Sequence, residues 1–367
     1  MRVLFVCNGL AGGGAEKLLN DLLPVLRDKN GVVCELLILS KKNEKYLDSL
    51  LLQNIKVSIL PSSCNNHFKR INYIIRFIKN NHFNIVHANL FPSFYYCSLA
   101  KKVLGKEFPR LVMTEHSTDN RRRHIKLLRP LEKWIYKSFD AVVSISKDTQ
   151  SALIDWLECS SSNKFLTIYN GIPVRRYSFV KPCLREDLYE KIEDGDILIG
   201  MVASFRKIKN HKFMIKVLSY LPSHYKLIFI GEGELQNEIA NLVGALGLEE
   251  RVRFLGFKKN VAECLRAFDI CVIPSIWEGF GLVAVEAMAC GIPVVCSDVP
   301  GLADVVGNAG IISPINDPKQ FSKAIMHLEN KELYNACIKK GKIRAMRYDI
   351  ETMSANYYIL YHKLLQN

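Results

Sequence analysis

The sequence lacks any apolar run approaching the roughly 18–20 residues needed to cross a bilayer. It has no Cys-x-x-Cys pair, although it carries eleven cysteines. An odd, scattered set of that kind argues against a disulfide framework or a zinc site and for thiols kept reduced in the cytoplasm. Cys7, Cys34, Cys271 and Cys296 lie in apolar, strand-like runs, where packing is the expected role. Low-complexity sequence is absent and 49% of residues are hydrophobic, so a globular chain with real cores is expected. Acid is in deficit, with 36 Asp and Glu against 50 Lys and Arg and a formal charge of +14. A basic chain can meet nucleic acid, anionic lipid or a phosphorylated substrate. No recognised nucleic-acid module accompanies the charge, which ranks nucleic acid low. A dinucleotide fingerprint is missing too, because no Gly-x-Gly-x-x-Gly follows a strand in register and no ribose-binding acid follows.

What is present is organised around residues 274–295. An apolar run, Ile270-Cys271-Val272-Ile273, reads as a strand ending at Pro274-Ser275. A loop with two glycines follows, Trp277-Glu278-Gly279-Phe280-Gly281, and residues 282–290 read as helix. Gly291 and Pro293 stop that helix, and residues 293–296 read as the next strand. Strand, loop, helix and strand in this order set a helix N-terminus at the C-terminal ends of parallel strands. Free N–H groups and the positive end of the helix dipole favour a phosphate there. Glu278 in the loop and Glu286 on the second helical turn can accept hydrogen bonds from paired hydroxyls of a ribose or pyranose.

The rest of the chain repeats the alternation. Residues 2–6 form the first strand, since the apolar start is broken at Asn8-Gly9 and does not read as a leader. Gly9 to Gly14 opens a helix, and the backbone at Gly13 and Gly14 can approach a phosphate closely or simply turn tightly. Strands are expected at residues 32–39, 55–60, 84–88, 111–114, 141–146 and 165–169. Residues 68–81 form an amphipathic helix, read either as packing on the sheet or as touching an anionic membrane surface. His116 follows a strand and points into a ligand crevice, whereas His87 reads as structural. Residues 121–137 carry seven Lys or Arg against one Glu. They read as a solvated basic helix or as a patch for anionic lipid or an acceptor's diphosphate. A linker is expected from Asn170 to about Gly195, and Asp194-Gly195-Asp196 reads as a turn rather than a metal ligand pair. The strand at residues 197–202 runs into a cationic loop containing Arg206 and Lys209, suited to a diphosphate leaving group. A helix begins near Lys212. Residues 226–230 and 252–255 are further strands.

The whole resembles the retaining glycosyltransferases of the GT-B fold, family four. Their signature, Glu-x7-Glu followed by Gly-x-Pro-Val, stands here as Glu278, Glu286 and Gly291-Ile292-Pro293-Val294. The resemblance spans nearly the whole chain and is strongest in the second half. It implies an α/β protein of two doubly wound Rossmann-like domains facing a central cleft. Residues 1–173 would be the acceptor side and 174–347 the nucleotide-sugar side, with 348–367 a helix packing back on the first. It implies that Lys209, Arg206 and backbone groups at Gly13, Gly14, Gly279, Phe280, Gly281 and Leu282 hold the donor diphosphate. Glu286 would hold ribose, Glu278 the sugar hydroxyls, and His116 would orient the sugar. The family's Gly-Arg-x4-Lys-Gly is altered: Ser204 takes the arginine position, Arg206 lies two residues later, and Asn210 replaces the glycine after Lys209. The expected reaction is transfer of a hexosyl or N-acetylhexosaminyl residue, with retention, from a nucleotide diphosphate sugar, UDP favoured. The acceptor would be a glycan or polyprenyl-diphosphate-linked sugar in bacterial surface polysaccharide synthesis. No cofactor or metal is implied beyond that co-substrate, and no nucleic acid. The site of action would be cytoplasmic and peripheral at the inner face of the plasma membrane. A non-catalytic nucleotide-sugar-binding partner, or a phosphorylase or epimerase of the same fold, are the alternatives.

Overall fold

Continuous apolar runs of four to six residues, separated by glycine turns and helices, can bury both faces only in parallel sheets covered by helices. The structure, a computed structural model, describes residues 1–41, 44–159 and 162–366. The chain divides into two compact units, Met1–Gly171 with Ile350–Asn367, and Ile172–Asp349.

In the first unit β1 (Arg2–Cys7), β2 (Val33–Ile38), β3 (Lys56–Ile59), β4 (Ile85–Asn89), β5 (Arg110–Glu115), β6 (Ala141–Ser144) and β7 (Phe165–Thr167) form one parallel sheet, in the order β3-β2-β1-β4-β5-β6-β7. Register is set by pairs such as Val3 with Ile85 and Asn89 with Thr114. The strands bury Leu4, Val6, Leu37, Val86, Leu111, Met113 and Val142 beneath the helices. The His67–Asn81 helix starts where the Asn66 side chain accepts from Lys69 N, and it buries Ile74 and Ile78. The last helix, Ile350–Gln366, belongs to this unit and buries Tyr357 and Tyr361.

The second unit holds β8 (Ile197–Val202), β9 (Tyr225–Ile230), β10 (Val252–Phe254), β11 (Ile270–Ile273), β12 (Val294–Ser297) and β13 (Ile311–Ser313), ordered β10-β9-β8-β11-β12-β13 and again parallel. Its core joins Ile199, Met201, Phe229, Val272 and Val295 to Phe205, Met214 and Phe321. Strand order reverses between β1 and β4 in one sheet and between β8 and β11 in the other. Loops leaving those strands at their C-terminal ends diverge there and leave a crevice, where ligands of open α/β sheets bind.

Two expectations are corrected. Residues 121–137 are not one helix: 3₁₀ turns at Arg121–His124 and Lys126–Leu128 precede a short helix, Arg129–Tyr136, with a proline in its first turn. The stretch read as a linker contains a helix, Val174–Phe179, because Val174 and Tyr177 find a core to enter. Asp194-Gly195-Asp196 is a turn. Gly195 has a φ of 92°, and Asp196 is buried, accepting from Glu193 N at 3.0 Å and pairing with Lys226 at 3.6 Å.

Candidate active site

In the second unit the loops after β8 and β11 flank the switch point. The β8 loop is held from behind: Phe205 N donates to Glu232 O at 3.0 Å and Leu235 N to Phe205 O at 3.1 Å. Gly231 has a φ of 142°, and a Cβ on it would lie 2.1 Å from the Ala203 carbonyl oxygen. The backbones touch there only because glycine has no side chain. The two switch-point loops are tied together by Ile276 N donating to Ile208 O at 2.8 Å.

That tie brings Lys209 to Glu278. Its Nζ lies 2.5 Å from Glu278 Oε2, and Ser275 Oγ donates to the same oxygen at 3.4 Å. Ser297 Oγ at the end of β12 donates to Ser275 O at 2.6 Å and fixes the loop base. Gly301, φ 81°, backs the loop so closely that a Cβ would lie 2.5 Å from Glu278 O and 2.7 Å from Gly279 O. The Leu282–Cys290 helix starts at Gly281, φ 86°, with no side-chain cap, so its first N–H groups face the loop. Glu286 is buried, 3% exposed, on its second turn. The Phe280 ring is buried against Tyr348 at 5.2 Å, which leaves only its backbone for a ligand. Arg206 is exposed, with no ion pair among the described residues.

Sequence reasoning passed over His211, the first residue of the following helix. It is buried and stacked on Phe205 at 4.2 Å. Burial, and then the charge of Lys209, push its pKa down to about 4. A lone histidine after a cationic loop gives no sequence signal of this.

The first unit carries Gly13, Gly14 and His116. Gly13 caps the Gly14–Asn30 helix with its backbone, and the Glu16 carboxylate folds over it. His116 stands just past β5, partly covered, with Nε2 3.2 Å from Asn89 Oδ1. Burial lowers its pKa to about 4. Asn89, the last residue of β4, lies one residue beyond the strand expected at residues 84–88. His87 is structural: Nδ1 meets Tyr361 OH at 2.6 Å and Nε2 meets Thr114 Oγ1 at 2.8 Å. Burial, and next the neighbouring His116, drive its pKa to about 3.

The basic stretch is divided. Arg122 lies over the Phe91 and Phe94 rings, 4.9 and 5.1 Å from their centroids, and pairs with buried Glu132 at 3.0 Å. Arg123 pairs with Glu115 at 3.4 Å. Those two arginines pin the segment. Outside them, Ile125, Leu127, Leu131 and Trp134 are exposed, Leu127 at 91%. Lys102 Nζ sits 3.9 Å over the Trp134 ring, beside a cavity of about 660 Å³ lined by Lys101, Lys102, Lys106, Arg110 and Asp140. Among the described residues no helix is long and apolar enough to cross a membrane, and no cluster of three or more His, Cys, Asp or Glu side chains is arranged to hold a metal.

Residues 12–176 match the family described as Glycosyltransferase Family 4, and residues 187–344 match Glycosyl transferases group 1. This chain is a glycosyltransferase of that family. Its fold is GT-B. The Anabaena protein HepE, solved with UDP and glucose, superposes with a TM-score of 0.86 at 21% identity over 99% of this chain and 100% of that one. WaaG, a glycosyltransferase of lipopolysaccharide biosynthesis, gives a TM-score of 0.74 at 18% identity over 98% and 99%. Among curated relatives, the N-acetylgalactosamine-N,N'-diacetylbacillosaminyl-diphospho-undecaprenol 4-alpha-N-acetylgalactosaminyltransferase of Campylobacter jejuni is 27% identical to this glycosyltransferase, over 93% of each chain. The UDP-Gal:alpha-D-GlcNAc-diphosphoundecaprenol alpha-1,3-galactosyltransferase of Escherichia coli is 24% identical over 86% of this chain and 84% of that one.

Proposed function

We propose that this glycosyltransferase moves a hexosyl or N-acetylhexosaminyl residue, with retention, from a UDP-sugar to a polyprenyl-diphosphate-linked glycan, working peripherally at the cytoplasmic face of a bacterial membrane. The observation that carries the donor half is Lys209 held on Glu278 at 2.5 Å, beside an uncapped helix N-terminus at the switch point. A cation and aligned N–H groups at one place suit a diphosphate whose charge grows as the glycosidic bond breaks. Lys209, Arg206 and the backbone from Gly279 to Leu282 take the diphosphate, Glu286 the ribose hydroxyls and Glu278 the sugar hydroxyls. In the first unit, Gly13 and Gly14 can offer backbone N–H groups to a phosphate, and His116 can orient a sugar. The bond between the anomeric carbon and the leaving phosphate oxygen breaks on the face where the acceptor oxygen bonds. The acceptor's proton passes to that phosphate oxygen, and the nucleoside diphosphate departs. No protein nucleophile and no metal is needed in this scheme. Retention rests on the family resemblance.

The acceptor half rests on two supports. Both relatives named above carry diphospho-undecaprenol or diphosphoundecaprenol in their names. Leu131 and Trp134 stand three apart on the outer face of the Arg129–Tyr136 helix, with Lys102 over the Trp134 ring and Lys126 and Lys137 exposed in the flanking sequence. An exposed apolar stripe with a basic border is the composition that lies in an anionic lipid interface.

The test is nucleoside diphosphate release from UDP-, GDP- and ADP-sugars, with wild type beside Glu286→Ala and Lys209→Ala. Slow hydrolysis of one donor, lost in both variants, is the expected result, and the anomeric configuration of the product with a lipid-linked acceptor then reports retention. Silence across the panel, with no nucleotide raising the melting temperature, would favour a non-catalytic partner, the reading that Ser204 at the arginine position supports.

A further inference from the structure

We propose that Asn89 is a positioning residue that fixes His116 as the Nε2–H tautomer, so that Nδ1 presents a lone pair to a hydroxyl of the bound substrate. The inference rests on the functional reading above. Asn89 ends β4 and is 2% exposed, and His116 follows β5, the strand paired beside it. The Asn89 amide has two polar neighbours. Nδ2 is 3.2 Å from the His87 carbonyl oxygen, and Oδ1 is 3.2 Å from His116 Nε2. Only this orientation works. With the amide turned over, Oδ1 would face the His87 oxygen, two acceptors with no hydrogen between them. An Asn oxygen facing His116 obliges Nε2 to carry the hydrogen, and the second ring nitrogen then carries none in the neutral ring.

The parts that hold Asn89 are themselves held. The His87 ring is clamped between Tyr361 and Thr114, and Thr114 Oγ1 also meets Tyr357 OH at 2.9 Å. The Asn89 carbonyl accepts from Ser93 Oγ at 2.5 Å. Glu115, the carboxylate next to His116, is engaged by Ser117 N, Tyr136 OH and Arg123 and does not compete for the ring. Nδ1 of His116 has no partner among the described residues, and it is not one of the buried unpartnered atoms, so it is open to a ligand. Burial keeps the ring uncharged at neutral pH, as an acceptor role requires. No bond is made or broken at His116. It receives an O–H from the substrate and so selects a hydroxyl in one direction.

The experiment is ¹⁵N NMR of the histidine-labelled full chain at pH 7, with His116 assigned by His116→Gln, for wild type, Asn89→Asp and Asn89→Ala. Wild type should show His116 protonated at Nε2 alone. Asn89→Asp, which keeps the side-chain shape and puts a carboxylate on Nε2, should show both nitrogens protonated. Asn89→Ala should show mixed tautomers. In both variants kcat/KM for the donor should fall about tenfold, the order expected for one hydrogen bond. A wild-type ring protonated at Nδ1, or an Asn89→Asp spectrum identical to wild type, overturns the proposal. If Asn89→Ala does not fold, the Asn89→Asp result decides alone. The tautomer is read without turnover. A chain inactive on every donor but showing the Nε2–H pattern would count against the functional reading and leave the Asn89 assignment standing.

Discussion

Lys209→Ala separates catalysis from architecture at one position. Lys209 and Glu278 are 26% and 19% exposed, between a surface pair and a buried one. Surface pairs contribute up to about 1 kcal/mol, and breaking a buried one costs about 3–5 kcal/mol, so this pair should be worth about 1–2 kcal/mol of folding. In a unit of this size that lowers the melting temperature by about 2–8 °C. The catalytic effect is of another order. If the ammonium leaves Glu278 for the donor diphosphate, its removal deletes a cation aimed at developing charge and lowers kcat about 10²–10³-fold. The remaining Glu278 carboxylate would then repel the diphosphate, so Lys209→Ala with Glu278→Gln should recover part of the donor affinity. Melting curves and steady-state nucleoside diphosphate release on the two single variants and the double variant measure both terms. A Lys209→Ala protein that melts lower as stated yet keeps kcat within about threefold would refute the reasoning, because a transition-state contact cannot be that cheap to remove.

Three further outcomes are expected. Gly301→Ala forces a Cβ to within 2.5 Å of the Glu278 carbonyl at a φ of 81°; it should destabilise by about 1–3 kcal/mol and weaken the stabilisation by donor nucleotide that is expected of wild type. His87, with a folded pKa of about 3 against about 6.5 unfolded, makes the unfolded state bind more protons below pH 6.5, so its stabilisation is full above that pH and is lost as pH falls toward 3. Melting temperature should decline across that window in wild type and less steeply in His87→Gln. Leu127→Glu with Trp134→Glu should cut sedimentation with anionic vesicles about tenfold or more while leaving hydrolysis of the donor unchanged, and undiminished sedimentation would remove the lipid-facing role of the stripe.

Much of the fold is written in local sequence. Buried parallel strands are apolar throughout, and Ile270–Ile273 is legible as a strand for that reason. The Leu282–Cys290 helix is legible because Gly281 and Gly291 both adopt positive φ and bound it. Residues 121–137 misled because a charge count treats every arginine alike. Glu132 and Glu115 draw Arg122 and Arg123 inward, and the proline at the start of Arg129–Tyr136 breaks the helical run. Six residues at Val174–Phe179 are too few to show a period. At the site, residue types were readable but pairs were not. Lys209 and Glu278 are 69 residues apart in the chain, and the pairing of β8 with β11 and the backbone bond between their loops make them neighbours. Asn89 gave no signal at all, since its meaning lies in which way an amide faces.

The charge of +14 is therefore not one field. Several of the 50 Lys and Arg side chains are matched by acids: Arg185 on Asp269 at 3.0 Å, Arg122 on Glu132, Arg123 on Glu115, and Lys209 on Glu278. The cations left without an ion pair among the described residues include Arg206 in the β8 loop and Arg121, Lys126 and Lys137 along the divided basic segment. An acid that is already close competes with an anionic ligand for its cation, so the unpaired groups offer the larger gain on binding. Arg206 lies in the β8 loop, which is bonded to the β11 loop ahead of the uncapped helix, and Arg121, Lys126 and Lys137 lie in the segment that exposes Leu127 and Trp134. The first place suits a diphosphate, which needs directed N–H groups. The second has apolar side chains among its cations, and a free diphosphate gains nothing from those, whereas a lipid surface gains from both. Two anion-directed regions with different neighbours can therefore hold two anionic partners of different chemistry.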